Sequence, residues 1–267
     1  MILPEAVISD ADGTLIDTLR LIRHGQFEAS KTYLGNIGVP NDQFPDYNDY
    51  EAALHRSIGG SANDTLEQTI RLLFANQLEI ISKVDFTKLH SMLNPVQDRI
   101  APEYVKPYDG LTGVLTTIGS LGIKFAIFTS GMPHHVVRNF GICMPELGLS
   151  DLYLDSSMED TEKLQVFIAK VRDVYHIPSF TVVTCDDVHT HKPDPSSVLL
   201  AAKRLHANPD KCAILGDHSV DMQAGVRAGV SERIGIIHGF DDRQALINAG
   251  ATRIVNSLTD FTDLLAN

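Results

Sequence analysis

Short apolar runs that end abruptly at a polar residue or a glycine constrain the fold of this chain more than any other feature. The runs do not alternate between apolar and polar residues, as expected of strands that are buried on both faces of a parallel sheet. They lie at positions 6–8, 125–128, 182–185, 213–215 and 234–237. Amphipathic helical patterns lie between them, such as the apolar positions Val198, Leu199, Ala202 and Leu205. Alternating strand and helix signals predict an α/β fold with a doubly wound, mainly parallel, Rossmann-like sheet.

A connection of roughly 90 residues follows the first predicted strand, although a typical connection has only about five. Residues 17–107 must therefore contain an inserted unit, and their apolar pattern is helical. The sequence predicts two domains: an α/β core made of residues 1–16 and 108–267, and an inserted α-helical cap domain at 17–107.

Two helical patterns lie within the insert. At the start of the first, Asp64 and Glu67 resemble a capping box. The apolar face of this first pattern consists of Leu66, Ile70, Leu73 and Ile80. The second covers positions 86–100, and because proline cannot donate a helical hydrogen bond, we expect an interruption at Pro95.

The chain is strongly acidic, which limits its partners. It has 22 Lys and Arg against 34 Asp and Glu, which gives a net charge of −12. Such a chain lacks the positive surface that nucleic acids and anionic membranes require. We therefore expect no nucleic-acid partner and no membrane partner. An anionic substrate would need a local lysine or a metal ion to offset this charge.

Further features are typical of a cytoplasmic protein. No apolar run reaches the ~20 residues of a membrane span. Positions 1–9 carry Glu5 and no basic residue, unlike a signal peptide. Cys143, Cys185 and Cys212 form no CxxC pair, so we expect buried, reduced thiols. No feature selects a monomer over a homodimer.

The segment DADGTLID at positions 10–17 carries the sharpest chemical signal. It directly follows the first strand, so Asp10 and Asp12 can both reach the crevice at the carboxyl edge of the sheet. Two neighbouring carboxylates repel each other, and they therefore need a bound cation or a shared proton. Both arrangements suit phosphoryl transfer, in which one Asp attacks and the other donates a proton. An acidic turn that merely ends a strand is the alternative.

Three more polar segments follow predicted strands and point to the same edge of the sheet. TSG at 129–131 offers a hydroxyl and backbone N–H groups to phosphate oxygens. HKPDP at 191–195 supplies one lysine, and GDHSVD at 216–221 returns two carboxylates. Taken alone, the lysine could be a solvated loop residue, and the two carboxylates could be acids of a first helical turn.

In this order, the four segments resemble the motifs of the haloacid dehalogenase (HAD) superfamily, and the helical insert resembles its cap. The branch that they resemble is that of phosphoglycolate phosphatase and β-phosphoglucomutase. The resemblance implies that Asp10 is the nucleophile, which forms an aspartyl-phosphate. It implies that Asp12 is the general acid and base and that Lys192 is the third catalytic residue.

The same resemblance implies the ligands of the phosphate and the metal. The phosphate ligands would be Thr129, Ser130, Gly131 and Lys192. Mg²⁺ would be ligated by Asp217, the Asp10 carboxylate and the Asp12 carbonyl, with support from Asp221. Mg²⁺ takes oxygen ligands. Its positive charge would let an anionic nucleophile approach an anionic phosphate.

Asp12 also separates branches of the family. Dehalogenases and phosphonate hydrolases lack this second Asp, so its presence favours a phosphatase or a phosphomutase. Mutases of the β-phosphoglucomutase type carry a cap histidine where this chain has Ile22, and His24 lies on a different helix face. We therefore expect a phosphoric monoester hydrolase for a small phosphorylated metabolite, of phosphoglycolate or sugar-phosphate type. A phosphomutase or a catalytically idle binding or regulatory protein is the alternative.

One stretch of the insert resembles the specificity loop of the cap. This is HRSIGGS at positions 55–61. We expect Arg56 or His55 to face the leaving group, and a helix end capped by glycines is the alternative.

Two features depart from the family pattern. The segment 131–180 is longer than related phosphatases usually need, and it contains a predicted amphipathic helix from about residue 160. We favour the interpretation that this extra segment only covers the core over the interpretation that it forms a dimer surface. His218 stands where relatives often have a small hydroxyl residue, and we expect a solvated imidazole rather than a neighbour of the metal.

Overall fold

The computed structural model describes residues 3–57 and 62–267. It divides into two compact units, one made of Met1–Thr18 with Val105–Asn267 and one made of Leu19–Tyr104. The chain leaves the first unit at Thr18 and returns to it at Val105, so the second unit is an insertion. The first unit is of the α/β type, and the second is helical.

The elements are numbered along the chain. The strands are β1 (Ala6–Ser9), β2 (Ile16–Asp17), β3 (Lys106–Pro107), β4 (Lys124–Phe128), β5 (Phe180–Val183), β6 (Cys212–Gly216), β7 (Glu232–Ile236) and β8 (Arg253–Val255). The helices are α1 (Leu19–Asn36), α2 (Tyr47–Ser57), α3 (Ala62–Leu73), α4 (Leu78–Ile81), α5 (Phe86–Tyr104), α6 (Leu111–Ser120), α7 (Pro133–Cys143), α8 (Asp160–Val174), α9 (Ser196–Arg204), α10 (Ser219–Arg227), α11 (Arg243–Asn248) and α12 (Leu258–Ala266).

A six-stranded parallel sheet in the order β5-β4-β1-β6-β7-β8 forms the centre of the α/β unit. All residues of β1 are buried. Because successive side chains of a strand point to opposite faces, both faces of the sheet must be covered. Val198 of α9 and Met222 of α10 belong to the same buried apolar cluster as Ile8 of β1 and Ala126 of β4. The predicted fold class, a parallel α/β sheet flanked by helices, is confirmed.

The central position of β1 determines which residues can meet at the carboxyl edge. In the ladders, Ser9 pairs with Ile127 of β4 and with Leu215 of β6. Asp10, one residue later, donates its backbone N–H to the carbonyl of Leu215 over 2.9 Å. The segments that follow β1, β4 and β6 therefore start at the same level, side by side.

The sequence placed two details of this unit wrongly. The apolar run 182–185 extends beyond β5, which ends at Val183, because the backbone N–H and hydroxyl of Thr184 turn toward the Asp187 carboxylate. Leu199 is 42% exposed, since the buried stripe of α9 passes through Val198 and Ala202 instead. The predicted helix near residue 160 is confirmed as α8, which packs against α7 and β5.

A short antiparallel pair, β2 with β3, was not predicted. Ile16 pairs with Pro107 and Asp17 pairs with Lys106. The two strands hold the ends of the insertion next to each other.

The helical unit has its own apolar core. Tyr33 and Leu34 of α1, Leu66 and Ile70 of α3, and Leu93 of α5 belong to one buried cluster. The first helical pattern of the insert ends earlier than predicted, because α3 stops at Leu73 and Ile80 belongs to α4.

The predicted interruption at Pro95 is wrong. Helix α5 continues through Pro95 and has buried side chains on both sides of it, including Leu89 before and Ala101 after. A proline inside a helix costs about 3 kcal/mol. Burial of Leu89 and Leu93 gains about 1.5–3 kcal/mol for each side chain, which outweighs that loss.

Helices that could cross a membrane, long enough and sufficiently apolar, do not occur in residues 3–57 and 62–267. The three cysteines are free. Cys212 is buried as expected, whereas Cys143 and Cys185 are only half-buried. Burial raises the pKa of the Cys143 thiol to about 12 and that of Cys212 to about 11, so both favour the unreactive thiol form.

Two glycines of α6 provide a matched test of the packing in the α/β unit. A Cβ at Gly119 would collide with the carbonyl oxygen of Tyr175, whereas a Cβ at Gly113 would meet open space. Gly119→Ala should therefore lower the free energy of unfolding by about 1–3 kcal/mol. Gly113→Ala should raise it by about 0.4–1 kcal/mol, because alanine restricts the unfolded chain. Urea unfolding of both variants measures this, and equal effects of the two substitutions would contradict the packing.

Candidate active site

Three buried aspartates and one buried lysine meet at the carboxyl edge of the sheet. Asp10 follows β1, while Asp217 and Asp221 follow β6. Their potential ligand atoms all lie within 4.8 Å of one another. The lysine is Lys192, from the loop between β5 and α9, and it is 5% exposed. The structure thus brings together residues from three separate segments of the chain.

Lys192 ties two of these carboxylates together. Its Nζ lies 2.5 Å from Oδ1 of Asp10 and 2.8 Å from Oδ1 of Asp221. The ammonium also lies 3.8 Å from the ring centroid of Phe128, the last residue of β4. The aromatic face attracts the cation and restricts its position. Lys192 is therefore not the solvated loop lysine that its motif alone would have allowed.

Asp217 is held by two donors and two close glycines. The Thr14 hydroxyl donates to Oδ1 over 2.5 Å, and the backbone N–H of Phe240 donates to Oδ2 over 2.8 Å. A Cβ at Gly13 or at Gly239 would overlap the Asp217 carboxylate. Only glycine lets the backbone approach so closely, and Gly13 also adopts a φ of 86°. The carboxylate is therefore fixed from both sides.

Burial without enough positive charge perturbs the acids of this site. Burial, aided by the charge of Asp221, raises the pKa of Asp217 to about 7 against its two hydrogen bonds and Lys192. Burial also raises the pKa of Asp10 well above its ordinary value, and the nearby Lys192 opposes this shift. Burial alone would lower the pKa of Lys192, but the charges of Asp10 and Asp221 outweigh it and raise that pKa. Lys192 therefore stays charged.

The donor chemistry of the cluster fits a divalent cation. Three ionised carboxylates and one ammonium leave two negative charges in a buried space. Burial first, and the neighbouring carboxylates second, raise the pKa values of Asp10 and Asp217, so uncompensated negative charge is unfavourable here. Carboxylate oxygens are ligands for hard cations such as Mg²⁺ and Ca²⁺. The residues Asp10, Asp217 and Asp221 could therefore hold such an ion.

Asp12 points to different partners. Its Oδ2 accepts a hydrogen bond from the Thr129 hydroxyl over 3.3 Å, and its Oδ1 accepts one from the Asn139 amide over 3.2 Å. Gly131 donates its N–H to the Thr129 hydroxyl oxygen over 2.9 Å. The side chain of Asp12 is thus separate from the acidic cluster, while the segment TSG supports it. Ser130, the remaining member of that segment, is half-buried.

Asp221 and His218 also cap the N-terminus of helix α10. Oδ2 of Asp221 accepts the backbone N–H of His218 over 3.1 Å, and Nδ1 of His218 accepts that of Val220 over 3.1 Å. The expectation of a solvated imidazole is therefore wrong, because the His218 ring is used as a helix cap. Both functions suggested for the aspartates of GDHSVD, a metal ligand and a first-turn acid, are compatible with the position of Asp221.

The predicted specificity residues lie in the helical unit. His55 and Arg56 are exposed in the last turn of α2. The Nε of Arg56 donates to the carbonyl of Ala52 over 3.3 Å. The rest of HRSIGGS, positions 58–61, lies outside the described residues, and the role of this stretch stays a prediction.

Several residues that build the site were not found from the sequence. Thr14 was visible within the first motif but received no role. Phe240 follows β7 as the other motifs follow their strands, so the strand-end argument could have found it. Asn139 gave a weaker signal, a polar residue within the apolar pattern of α7.

Known proteins resemble this chain over nearly its whole length. The model of the haloacid dehalogenase-like hydrolase family matches residues 4–229. A phosphorylated carbohydrates phosphatase from Thermotoga maritima is 28% identical over 252 residues, covering 94% of each chain. A phosphoglycolate phosphatase from Aquifex aeolicus is 24% identical, with 96% of this chain and 90% of the relative covered. The crystal structure of a predicted phosphoglycolate phosphatase from Haemophilus somnus has a TM-score of 0.69 at 16% identity, with 99% of both chains covered, which shows the fold alone.

The raised pKa of Asp217 predicts a pH-dependent effect of Asp217→Asn on stability. In the metal-free protein, the native state binds more protons than the unfolded state between pH 3.8 and about 7, so wild-type stability falls as the pH rises. Asparagine cannot ionise. From pH 4.5 to pH 8, the free energy of unfolding should therefore shift in favour of the variant by roughly 2–4 kcal/mol.

Urea unfolding across this pH range, in EDTA, measures the difference. Asp263→Asn, at an exposed position of α12, is the control and should show no such trend. Added Mg²⁺ at pH 8 should stabilise the wild type more than Asp217→Asn. A difference that does not change with pH would contradict the electrostatic account of Asp217.

Proposed function

Because this chain belongs to the haloacid dehalogenase-like hydrolases, we propose that it is a Mg²⁺-dependent phosphatase for a small phosphorylated metabolite. The observation that carries this proposal is the contact of Lys192 with Asp10 beside Asp217 and Asp221. The predicted superfamily and the predicted class of enzyme, a phosphoric monoester hydrolase, are confirmed by the family match and the relatives.

Asp10 is the proposed nucleophile. Lys192 holds its Oδ1, so the second oxygen is available to attack phosphorus. The attack forms a bond between Asp10 and phosphorus and breaks the bond from phosphorus to the leaving oxygen, which gives an aspartyl-phosphate and an alcohol. A carboxylate fixed by an ion pair needs little reorganisation before it attacks, which lowers the barrier.

Asp12 is the proposed general acid and base. Its protonated carboxyl gives a proton to the departing oxygen in the first step. In the second step the carboxylate takes a proton from the water that attacks the aspartyl-phosphate and releases inorganic phosphate. A positioned acid or base of this kind contributes about 10²–10⁴-fold to the rate.

Charge at the site must be balanced for an anionic substrate to enter. Lys192 supplies one positive charge, and Asp10, Asp217 and Asp221 would hold Mg²⁺. When bound, Mg²⁺ would stabilise the charge that develops on the phosphoryl oxygens. The Thr129 hydroxyl would bind a phosphate oxygen only after it exchanges its contact with Asp12 for the substrate. Backbone N–H groups of the segment 129–131 would add further donors.

Relatives suggest the type of substrate. The names of the Thermotoga maritima and Aquifex aeolicus proteins point to phosphorylated carbohydrates and to phosphoglycolate. We therefore extend the proposal to an alkyl phosphate of one of these two types. A phosphomutase stays an alternative, in which the chain would transfer the phosphoryl group back to a sugar. A panel of phosphorylated metabolites, with release of inorganic phosphate as the readout, distinguishes the two.

Removal of the nucleophile should abolish turnover. Asp10→Asn should lower kcat for p-nitrophenyl phosphate by at least about 10³-fold, since neutral asparagine cannot attack phosphorus. EDTA should suppress the wild-type activity, and Mg²⁺ should restore it. Asp151→Asn, at an exposed position, is the matched control and should keep full activity. Turnover that survives both Asp10→Asn and EDTA would reject the mechanism, and a wild type that binds Mg²⁺ without turnover would favour a regulatory protein.

Arg56 is predicted to contribute to substrate selection rather than to chemistry. Arg56→Ala should change kcat/KM by about 10-fold, or ~1.4 kcal/mol, for anionic or sugar-containing substrates and should alter their ranking. Arg71→Ala, an exposed arginine of α3 paired with Glu67, is the control. Identical substrate profiles of wild type and Arg56→Ala would remove Arg56 from recognition.

A further inference from the structure

A buried asparagine lies next to the proposed acid and base. Asn139 is 4% exposed in the middle of α7, among the buried apolar side chains of Val136, Val137 and Phe140. Burial of a polar amide is unfavourable unless its hydrogen-bonding groups find partners. Both of its polar atoms have one: Nδ2 donates to Oδ1 of Asp12, and Oδ1 accepts from Nε of Arg138 over 3.0 Å.

The arginine determines which way the amide faces. The Nε of Arg138 can only donate, so it must meet the oxygen of the Asn139 amide. The NH₂ group therefore faces Asp12. Because Arg138 is itself 1% exposed, its guanidinium has little freedom to move away.

The other oxygen of Asp12 is held in the same manner. The Thr129 hydroxyl oxygen accepts the N–H of Gly131, which leaves its single proton for Oδ2 of Asp12. Each carboxyl oxygen of Asp12 thus has one neutral donor. Two donors on two different oxygens fix the plane of the carboxyl group, whereas one donor would let it rotate.

We propose that Asn139 is a positioning residue for Asp12: it orients the carboxyl that exchanges protons with the leaving group and with water. This proposal rests on the proposed function. It assigns a role to a residue outside the four motifs. The Asn139 contact becomes more important when Thr129 turns to the substrate phosphate, since Asn139 is then the donor that still holds Asp12.

The leaving group distinguishes a positioning role from a general loss of structure. An alkyl leaving oxygen needs a proton as the bond to phosphorus breaks, whereas p-nitrophenolate is stable as an anion at neutral pH and leaves without one. The parameter kcat/KM reports the steps up to release of the first product. Misplacement of Asp12 should therefore lower kcat/KM for alkyl phosphates selectively.

Two variants test the proposal. Asn139→Leu removes the amide. Asn139→Ala removes the same donor without the bulk of leucine and without the like charge that a second carboxylate would bring next to Asp12, so it guards against a failure to fold. For the alkyl phosphate selected by the metabolite panel, we expect both to lower kcat/KM by about 10–100-fold. For p-nitrophenyl phosphate, the expected loss is less than about threefold.

Val137→Ala is the matched control, because it weakens the packing of the same helix through a buried apolar residue. It should change kcat/KM for both substrates to the same extent, and circular dichroism shows whether each variant is folded. Equal losses for the two substrates in the Asn139 variants, or no loss for either, would overturn the positioning role. If the wild type hydrolyses no phosphate ester, the proposed function fails first, and the role of Asn139 fails with it.

Discussion

The ion pairs of Lys192 with Asp10 and Asp221 are the interaction on which the site depends. Without this ammonium, three buried carboxylates would face one another as like charges, which repel strongly in a buried space. Loss of one partner from a buried ion pair leaves an uncompensated charge and is strongly destabilising. The lysine comes from a loop far along the chain, so the site forms only when β1, β5 and β6 are all in place.

The same electrostatics place function and stability in opposition. Burial, together with the charge of Asp221, raises the pKa of Asp217 to about 7. A fold selected for stability alone would not retain such an excess of negative charge. Active sites frequently contain groups that are perturbed in this way, because affinity for a cation or a substrate compensates for the cost once the ligand binds.

The sequence was sufficient where chemistry depends on strand ends. The segments at 10–17, 129–131 and 216–221 follow apolar runs directly, and parallel strands bring such ends to one edge. It was insufficient where contacts depend on packing. Asn139 meets Asp12 across 127 positions of the chain, and a polar residue within the apolar pattern of α7 does not by itself identify that partner. The prediction of an interruption at Pro95 failed for a related reason. The local cost of proline in a helix is outweighed by side-chain burial that only the tertiary structure reveals.

The pairing of β2 with β3 has a consequence for how this architecture can vary. Asp17 and Lys106 lie opposite each other in that ladder. The polypeptide therefore leaves the α/β unit and returns to it at adjacent positions. Because the two ends of an inserted segment are already adjacent, the segment adds little loop-closure entropy, and its length has little effect on the stability of the α/β unit. The α/β unit should therefore tolerate replacement of 19–104 by a tight hairpin or by an unrelated module. Diversity in this architecture can accumulate in the inserted segment while the chemistry of the α/β unit is preserved.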